Sequence, residues 1–149
     1  MAIVDLIATN VIRVPLKSNT KTEVIRELIE VLDKAGKIED AESVFKAVIA
    51  RENMGSTGLE KGIAVPHAKT EKVKKLTLAI GISSVGIDFD SLDGEPSKLF
   101  FLLLAQPSQS GPHIEALAEI ARITRSQSFC RLLINAKAPE EVIDLFRDE

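Results

Sequence analysis

The chain has 149 residues, a length typical of one domain that buries a sufficient core without disulfides or metals. Hydrophobic residues make up 45% of the chain and charged residues 28%, which is an ordinary composition for a soluble protein. Because the chain has six Phe but neither Trp nor Tyr, we expect aliphatic side chains to fill the core. A formal net charge of −3 argues against wrapping by nucleic acid and against adhesion to an anionic membrane.

The first part of the chain predicts an edge strand followed by a helix. Residues 11–16 alternate well enough to favour a strand that ends near Pro15 at the edge of a sheet. Thr20 stands three residues before Glu23, the spacing of a capping box, and apolar residues at helical spacing follow it. Gly36 then predicts the end of this helix, because glycine adopts the backbone conformation that closes helices without steric cost.

A second helix is predicted from about Asp40, and its last turn carries Arg51. Its expected apolar face consists of Val44, Phe45, Val48 and Ile49. Arg51 precedes Gly-Ser-Thr-Gly at residues 55–58, so a permanent cation stands next to a flexible turn rich in hydroxyl and backbone donors. Two interpretations are open: the guanidinium satisfies the terminal carbonyls of its own helix, or it binds an anion.

Residues 62–66 predict a short apolar strand that is closed by Pro66. Proline has no N–H and fixes φ, so we expect the strand to stop there and to turn His67 into a crevice. The polar, lysine-rich residues 69–75 are predicted to form a solvated connection. Residues 76–82 predict the next strand.

The middle of the chain combines an acidic turn region with the most apolar segment. The acidic side chains of residues 85–98 do not have the spacing of a calcium-binding loop, because Asp93 stands where that loop requires glycine. Residues 99–105 are continuously apolar, which predicts a strand buried on both faces at the centre of the sheet.

Three helices are predicted after this central strand. The first has Ser110 as its N-cap and His113 in its first turn, which places this histidine at the positive end of the helix. Its predicted apolar stripe consists of Ile114, Leu117, Ala118, Ile120 and Ala121. Residues 126–135 and 139–146 predict two short amphipathic helices, and Cys130 is expected to be buried because free cysteine is among the residue types most often found in cores.

His67 admits several chemical roles when the residues alone are considered. It can be a hydrogen-bonded structural residue, a metal ligand, a general base or a nucleophile. Two histidines without a cysteine cluster do not supply the ligands that zinc requires, and no Gly-x-Ser-x-Gly motif supports a serine triad. Phosphoryl acceptance fits better, since Arg51, Ser56 or Thr57 and the helix terminus at His113 would supply positive charge and donors. No Walker motif is present, so the phosphoryl group is expected to come from another protein.

Several short motifs occur together in this chain. They are Arg51, Gly-Ser-Thr-Gly at 55–58, Gly-Ile-Ala-Val-Pro-His at 62–67, Phe-Asp-Ser-Leu-Asp-Gly at 89–94, and Pro-His at 112–113 ahead of Glu-Ala-Leu-Ala. Glu52 and Leu59 add an acidic residue seven positions before a leucine. Over nearly the whole chain, this combination resembles the IIA components of the bacterial phosphotransferase system, in the fructose, mannitol and nitrogen-regulatory branch. Glu60 departs from the family pattern, which usually has a small residue there.

The resemblance implies a fold and a route for a phosphoryl group. The implied fold is α/β, one domain over residues 1–149 with a mixed sheet of about five strands flanked by helices, in agreement with the elements above. His67 matches the histidine that accepts a phosphoryl group from a phosphohistidine carrier protein and passes it to a cysteine of a IIB partner. His113 matches the second histidine of the family, and Arg51 matches its active-site arginine. No cofactor and no metal are expected, and Cys130 is expected to play no part in the transfer.

Two functions are compatible with this resemblance. The first is a phosphotransferase component in fructose- or mannitol-type sugar uptake, which the motifs at 89–96 and 99–101 favour. The second is a nitrogen-type regulatory protein whose phosphorylation changes which protein it binds, which the lack of a fused IIB or transport domain favours. The predicted location is the bacterial cytoplasm. This prediction depends on the single cysteine, on the absence of a signal-like leader and of an apolar run of about 20 residues, and on the kingdom of the family.

Overall fold

The fold is organised around one mixed β-sheet with helices on both faces, seen in a computed structural model that describes residues 3–148. The strands are β1 (Ile12–Arg13), β2 (Ile63–Ala64), β3 (His67–Lys69), β4 (Thr77–Ile87) and β5 (Ser97–Ala105). The α-helices are α1 (Lys21–Lys34), α2 (Ala41–Asn53), α3 (Ser110–Ile123), α4 (Gln127–Ile134) and α5 (Pro139–Asp148). Short 3₁₀ turns lie at Ile3–Leu6, Thr9–Val11 and Pro107–Gln109. This architecture confirms the predicted α/β class with a five-stranded sheet.

Strand β5 is the centre of the sheet. The strand order is β1-β4-β5-β2, and β3 also pairs with β5. The β4–β5 pair is antiparallel, whereas β1 runs parallel to β4, and β2 and β3 run parallel to β5. The predicted edge position of the first strand and the central strand at 99–105 are therefore confirmed, whereas the first strand has two residues and ends at Arg13 instead of near Pro15.

The alternation of side chains along β5 divides the interior into two layers. Leu99, Phe101 and Leu103 point to one face and pack with the apolar side chains of α3, α4 and α5. Phe100 and Leu102 point to the other face and pack with α1 and α2. Because successive strand residues point to opposite faces, a strand covered on both sides must be apolar at every position. Each fully buried side chain of this size contributes about 1.5–3 kcal/mol.

The predicted boundaries of α1 and α2 agree with the structure. The Thr20 hydroxyl accepts a hydrogen bond from the N–H of Glu23 and caps α1, while the Asp40 carboxylate accepts from Ser43 and caps α2. The predicted apolar face of α2 is only half right. Val44 and Val48 are fully buried, whereas Phe45 and Ile49 are partly exposed.

The strand predicted at 62–66 does not end at Pro66. The chain pairs with β5 at β2, passes through Val65 and Pro66, and pairs with β5 again at β3, so His67 begins a strand. Pro66 lacks a donor, but its carbonyl accepts a hydrogen bond from the N–H of Leu103, which keeps the two strands in one line. The next strand, β4, also runs five residues further than predicted, because it forms a long antiparallel pair with β5 that has an irregularity between Ile82 and Ile87.

Helix α3 differs from its prediction in two respects. Ser110 is its first residue rather than its N-cap, because the preceding 3₁₀ turn leads directly into the helix and Ser110 already has helical φ and ψ of −60° and −37°. The predicted apolar stripe was also wrong, since Ile120 alone among its five members is fully buried and Ile114 is 66% exposed. The buried side chains are His113, Ala116, Ile120 and Ile123. Apolar residues occur on two faces of α3, and packing against β5 selects one of them.

The last two helices lie where they were predicted, and Cys130 in α4 is buried. The longest helices within residues 3–148 have 14 residues, and none of those described combines the length and apolarity required to cross a bilayer.

Candidate active site

The two histidines of the chain meet between β3 and α3. His67 is the first residue of β3, and His113 lies in the first turns of α3. Their ring centroids are 5.5 Å apart and the planes meet at 70°, an edge-to-face contact. His67 is partly exposed, whereas His113 is only 4% exposed. One imidazole is therefore accessible from outside, and the other supports it from within.

The hydrogen bond of His67 distinguishes its two ring nitrogens. Nδ1 lies 2.8 Å from the carbonyl oxygen of Val65. A carbonyl oxygen can only accept, so Nδ1 must carry a hydrogen and donate it. In the neutral ring, Nε2 is then the nitrogen with a free lone pair. The backbone at Val65 thus selects the tautomer in which Nε2 can act as a nucleophile.

The surroundings of His113 favour its neutral form. Burial lowers the pKa of His113 below its ordinary value, and the nearby His67 and Lys69 lower this pKa further. Its Nε2 atom is buried and has no hydrogen-bond partner within residues 3–148. A buried polar atom without a partner costs free energy, so this nitrogen is an unsatisfied group next to the ring of His67.

A crevice of about 200 Å³ opens beside His67. Its lining consists of Arg51, Ser56, Thr57, Leu59, Val65, His67, Leu117, Ile120 and Ala121. One wall is polar and comes from the end of α2 and the loop after it, and the other wall is apolar and comes from α3. The structure therefore brings Arg51, Ser56 and Thr57 to the same crevice as His67.

Arg51 and Ser56 already have partners in the backbone of this region. Arg51 donates from Nη1 to the carbonyl of Gly55 at 2.8 Å, just past the end of α2, so its guanidinium stabilises this helix terminus and retains further donors. The Ser56 hydroxyl donates to the carbonyl of Phe89 at 2.7 Å and accepts from the N–H of Gly58. A phosphate-binding role for Ser56 remains a prediction and requires an exchange of these bonds.

Thr57 belongs to a buried network centred on Glu52. The Glu52 carboxylate is almost fully buried and accepts hydrogen bonds from both the N–H and the hydroxyl of Thr57. It also forms an ion pair with Nζ of Lys21 at 3.2 Å. Lys21 lies in turn 4.7 Å from the centroid of the Phe89 ring. The start of α1, the end of α2 and the loop 55–58 are thereby tied together, and the predicted role of the Thr57 hydroxyl toward phosphate also requires an exchange of partners.

Two residues of this region were not predicted from the sequence. In the sequence, Glu52 was noted only for its spacing from Leu59, and its buried network was not predicted. A carboxylate ahead of a loop rich in N–H and O–H donors is a signal that could have indicated such a network. Lys69 was predicted in a solvated connection; its side chain is exposed as predicted, but it belongs to β3, and its Nζ lies 2.7 Å from the Ser110 hydroxyl. The wrong strand end at Pro66 concealed that His67 and Lys69 share one face of a strand.

No group of three or more His, Cys, Asp or Glu side chains among the described residues is placed to hold a metal ion.

The sequence model of the family described as "Phosphoenolpyruvate-dependent sugar phosphotransferase system, EIIA 2" matches residues 5–149.

Two curated relatives share 37% identity with the chain. The PTS system fructose-specific EIIABC component of Bacillus subtilis aligns over 97% of this chain, which spans only 23% of that longer protein. A nitrogen regulatory protein of Bradyrhizobium diazoefficiens aligns over 89% of this chain and 86% of its own length.

Two solved structures share the fold of this chain. Nitrogen regulatory protein IIA-Ntr from Neisseria meningitidis has a TM-score of 0.89 and 29% identity, with 97% of this chain and 98% of that chain covered. Enzyme IIAMTL of Escherichia coli, solved in complex with phosphorylated enzyme IIBMTL, has a TM-score of 0.82 over 96% of this chain and 98% of its own, and at 23% identity this likeness concerns the fold alone. The chain therefore belongs to the EIIA type 2 family of the phosphoenolpyruvate-dependent sugar phosphotransferase system.

Proposed function

We propose that this chain carries a phosphoryl group on Nε2 of His67, taking it from a phosphohistidine carrier protein and passing it to a cysteine of a IIB partner in fructose- or mannitol-type sugar uptake. The hydrogen bond from Nδ1 to the Val65 carbonyl is the observation that carries this proposal. This bond leaves Nε2 with a free lone pair, and His67 lines a crevice that has Arg51 in its wall.

The transfer step follows from this tautomer. The lone pair of Nε2 attacks phosphorus, the new N–P bond forms, and the bond from phosphorus to the donor's imidazole breaks with its electron pair leaving on the donor nitrogen. Positive charge develops on the His67 ring as the bond forms. The Val65 carbonyl, 2.8 Å from Nδ1, stabilises that charge because the N–H becomes a stronger donor.

Arg51 and His113 support the transferred group in this proposal. A phosphoryl group in transfer spreads negative charge over its oxygens, and preorganised donors stabilise it. Arg51 uses one N–H for Gly55 and has others available. Burial favours the neutral form of His113, and its Nε2 atom is unpartnered among the described residues beside the ring of His67. Ser56 and Thr57 remain candidates for further donors.

The surface around the crevice fits docking of protein partners. Met54 at the end of α2 is 83% exposed, and Leu59 and Ile114 are exposed as well. Exposed apolar side chains around a reactive group mark an interaction surface. Both the donor and the acceptor of the phosphoryl group are proteins in this proposal, and the E. coli homologue named above was solved together with its phosphorylated IIB protein. We place these encounters in the bacterial cytoplasm.

Phosphorylation tests the proposal directly. The chain is incubated with phosphoenolpyruvate and the general phosphotransferase proteins, and the product is examined by intact mass and by NMR of the histidine rings. One acid-labile phosphoryl group on Nε2 is expected in the wild type and none in His67→Ala. His113→Ala and Arg51→Ala should fold and take up phosphoryl groups roughly ten- to a thousandfold more slowly. Full labelling of His67→Ala, or attachment to Nδ1, would overturn the assignment.

A nitrogen-type regulatory role is the second candidate. The nitrogen regulatory protein of Bradyrhizobium diazoefficiens shares 37% identity over 89% of this chain, and IIA-Ntr from Neisseria meningitidis shares its fold with a TM-score of 0.89. The two candidates share the chemistry at His67 and differ in the fate of the phosphoryl group. Rapid transfer from phosphorylated chain to the thiol of a purified fructose- or mannitol-type IIB protein supports uptake. Stable phosphorylation without transfer supports regulation.

A further inference from the structure

Lys69 shares the face of β3 that carries His67. In this strand Ala68 is buried against the α1 and α2 layer, so the residues on either side of it point toward α3. The contact of His67 with His113 of α3 agrees with this direction. Residues two apart in a strand are about 6.6 Å apart along the chain, a distance that the four methylene groups of lysine can cover.

The Lys69 ammonium has a weak partner. Its Nζ lies 2.7 Å from the hydroxyl of Ser110, the first residue of α3. Within residues 3–148 no carboxylate forms an ion pair with Lys69. The ammonium is exposed to solvent and donates to a neutral oxygen, and the alternation along β3 places it on the side of the strand that faces the two histidines.

We infer that Lys69 is the cation that responds to phosphorylation: its ammonium leaves the Ser110 hydroxyl and binds the phosphoryl group on Nε2 of His67. This inference rests on the proposed function of His67. A phosphate oxygen carries negative charge and a hydroxyl oxygen does not, so the ammonium gains Coulomb attraction when it exchanges Ser110 for the phosphoryl group, and the exchange favours the phosphorylated state.

The exchange also changes the start of α3. Lys69 links β3 to Ser110 before phosphorylation and no longer does so afterwards. Ile114, one turn further along α3, is 66% exposed and lies on the surface that partners are proposed to contact. A protein that docks on the first turns of α3 therefore meets a different surface in each state, which provides a physical basis for binding that depends on phosphorylation.

Four variants test the inference by the equilibrium ratio of phosphorylated to free chain, measured with a limiting amount of the phosphohistidine carrier protein. Lys69→Gln should lower this ratio about two- to fivefold, the scale of one solvent-exposed charge pair. Lys69→Arg should restore most of it, and Ser110→Ala should not lower it. Lys74→Gln is the matched control, because it removes the same charge from an exposed position in the following loop, and it should leave the ratio unchanged.

NMR of the wild type provides a readout that a merely structural lysine would not affect. Phosphorylation should shift the side-chain NMR signals of Lys69 and the amide signals of residues 110–113, while the side-chain signals of Lys74 stay constant. Unchanged side-chain signals of Lys69, or equal ratios for Lys69→Gln and Lys74→Gln, would overturn the inference. If the wild type takes no phosphoryl group at His67, the proposed function fails; if it does so and Lys69 does not respond, the role of Lys69 alone fails.

Discussion

Replacing Glu52 by alanine should destabilise the whole domain and not only the loop beside it. The substitution leaves the buried N–H of Thr57 without its acceptor, which costs about 1–3 kcal/mol, and removes a hydrogen bond from the Thr57 hydroxyl, which costs about 1 kcal/mol more. Lys21 loses less, because its side chain is 20% exposed and keeps Asp90 as a partner at 3.4 Å. The expected decrease in the free energy of unfolding is about 3 kcal/mol.

Urea unfolding followed by circular dichroism measures this decrease, and thermal unfolding should show a midpoint lower by about 6–12 °C for a domain of this size. Glu52→Gln retains one acceptor oxygen and should lose about half as much. Glu60→Ala is the matched control, because Glu60 is exposed in the same loop region and its loss should cost less than about 0.5 kcal/mol. Because Glu52 holds the polar wall of the crevice, folded Glu52→Ala should also take up phosphoryl groups more slowly.

A decrease below about 1 kcal/mol for Glu52→Ala would refute this reasoning, since that is the scale of a surface ion pair. The same conclusion would follow if Glu60→Ala were equally destabilising. Either result would mean that the loop 55–58 is held by other contacts, such as the bond from the Ser56 hydroxyl to the Phe89 carbonyl.

Three further predictions concern single groups. Gly58→Ala would place a Cβ atom 2.8 Å from the carbonyl oxygen of Phe89, which is backbone and cannot turn aside, so we expect a loss of about 1–3 kcal/mol in urea unfolding; a loss below about 0.5 kcal/mol would show that the loop yields freely. Burial raises the pKa of the Cys130 thiol, so its alkylation by iodoacetamide should be at least about tenfold slower than that of a free thiol, and rapid alkylation would contradict its burial. Cys130→Ser should leave phosphorylation of His67 and onward transfer intact, and blocked transfer would show that the thiol takes part. NMR titration should give His113 a pKa below its ordinary value of 6.5, and His67→Ala should raise this pKa; a pKa at or above 6.5 would contradict the role of burial. Because the unfolded chain binds this proton more readily than the folded chain does, His113 should lower the free energy of unfolding as pH falls below about 6.5.

Local sequence determined those features that depend on neighbouring residues. The caps at Thr20 and Asp40 follow from short side chains that bond to the backbone three residues on, and they fixed the starts of α1 and α2. The continuous apolar run at 99–105 predicted the central strand, because only a strand covered on both faces needs no polar positions. The motifs around Arg51 and His67 were sufficient to identify the family.

Tertiary structure decided everything that depends on which surfaces meet. Pro66 was expected to end a strand, but pairing with β5 continues through it, and this places His67 and Lys69 on one face. Helix α3 has apolar residues on two faces, and its contact with the sheet buries His113 while it leaves Ile114 exposed beside the crevice. The position of the buried Glu52 carboxylate requires the start of α1, which supplies Lys21, to meet the end of α2. Such contacts join residues far apart in the chain, and local propensity carries no information about them because their free energy arises only when the layers pack.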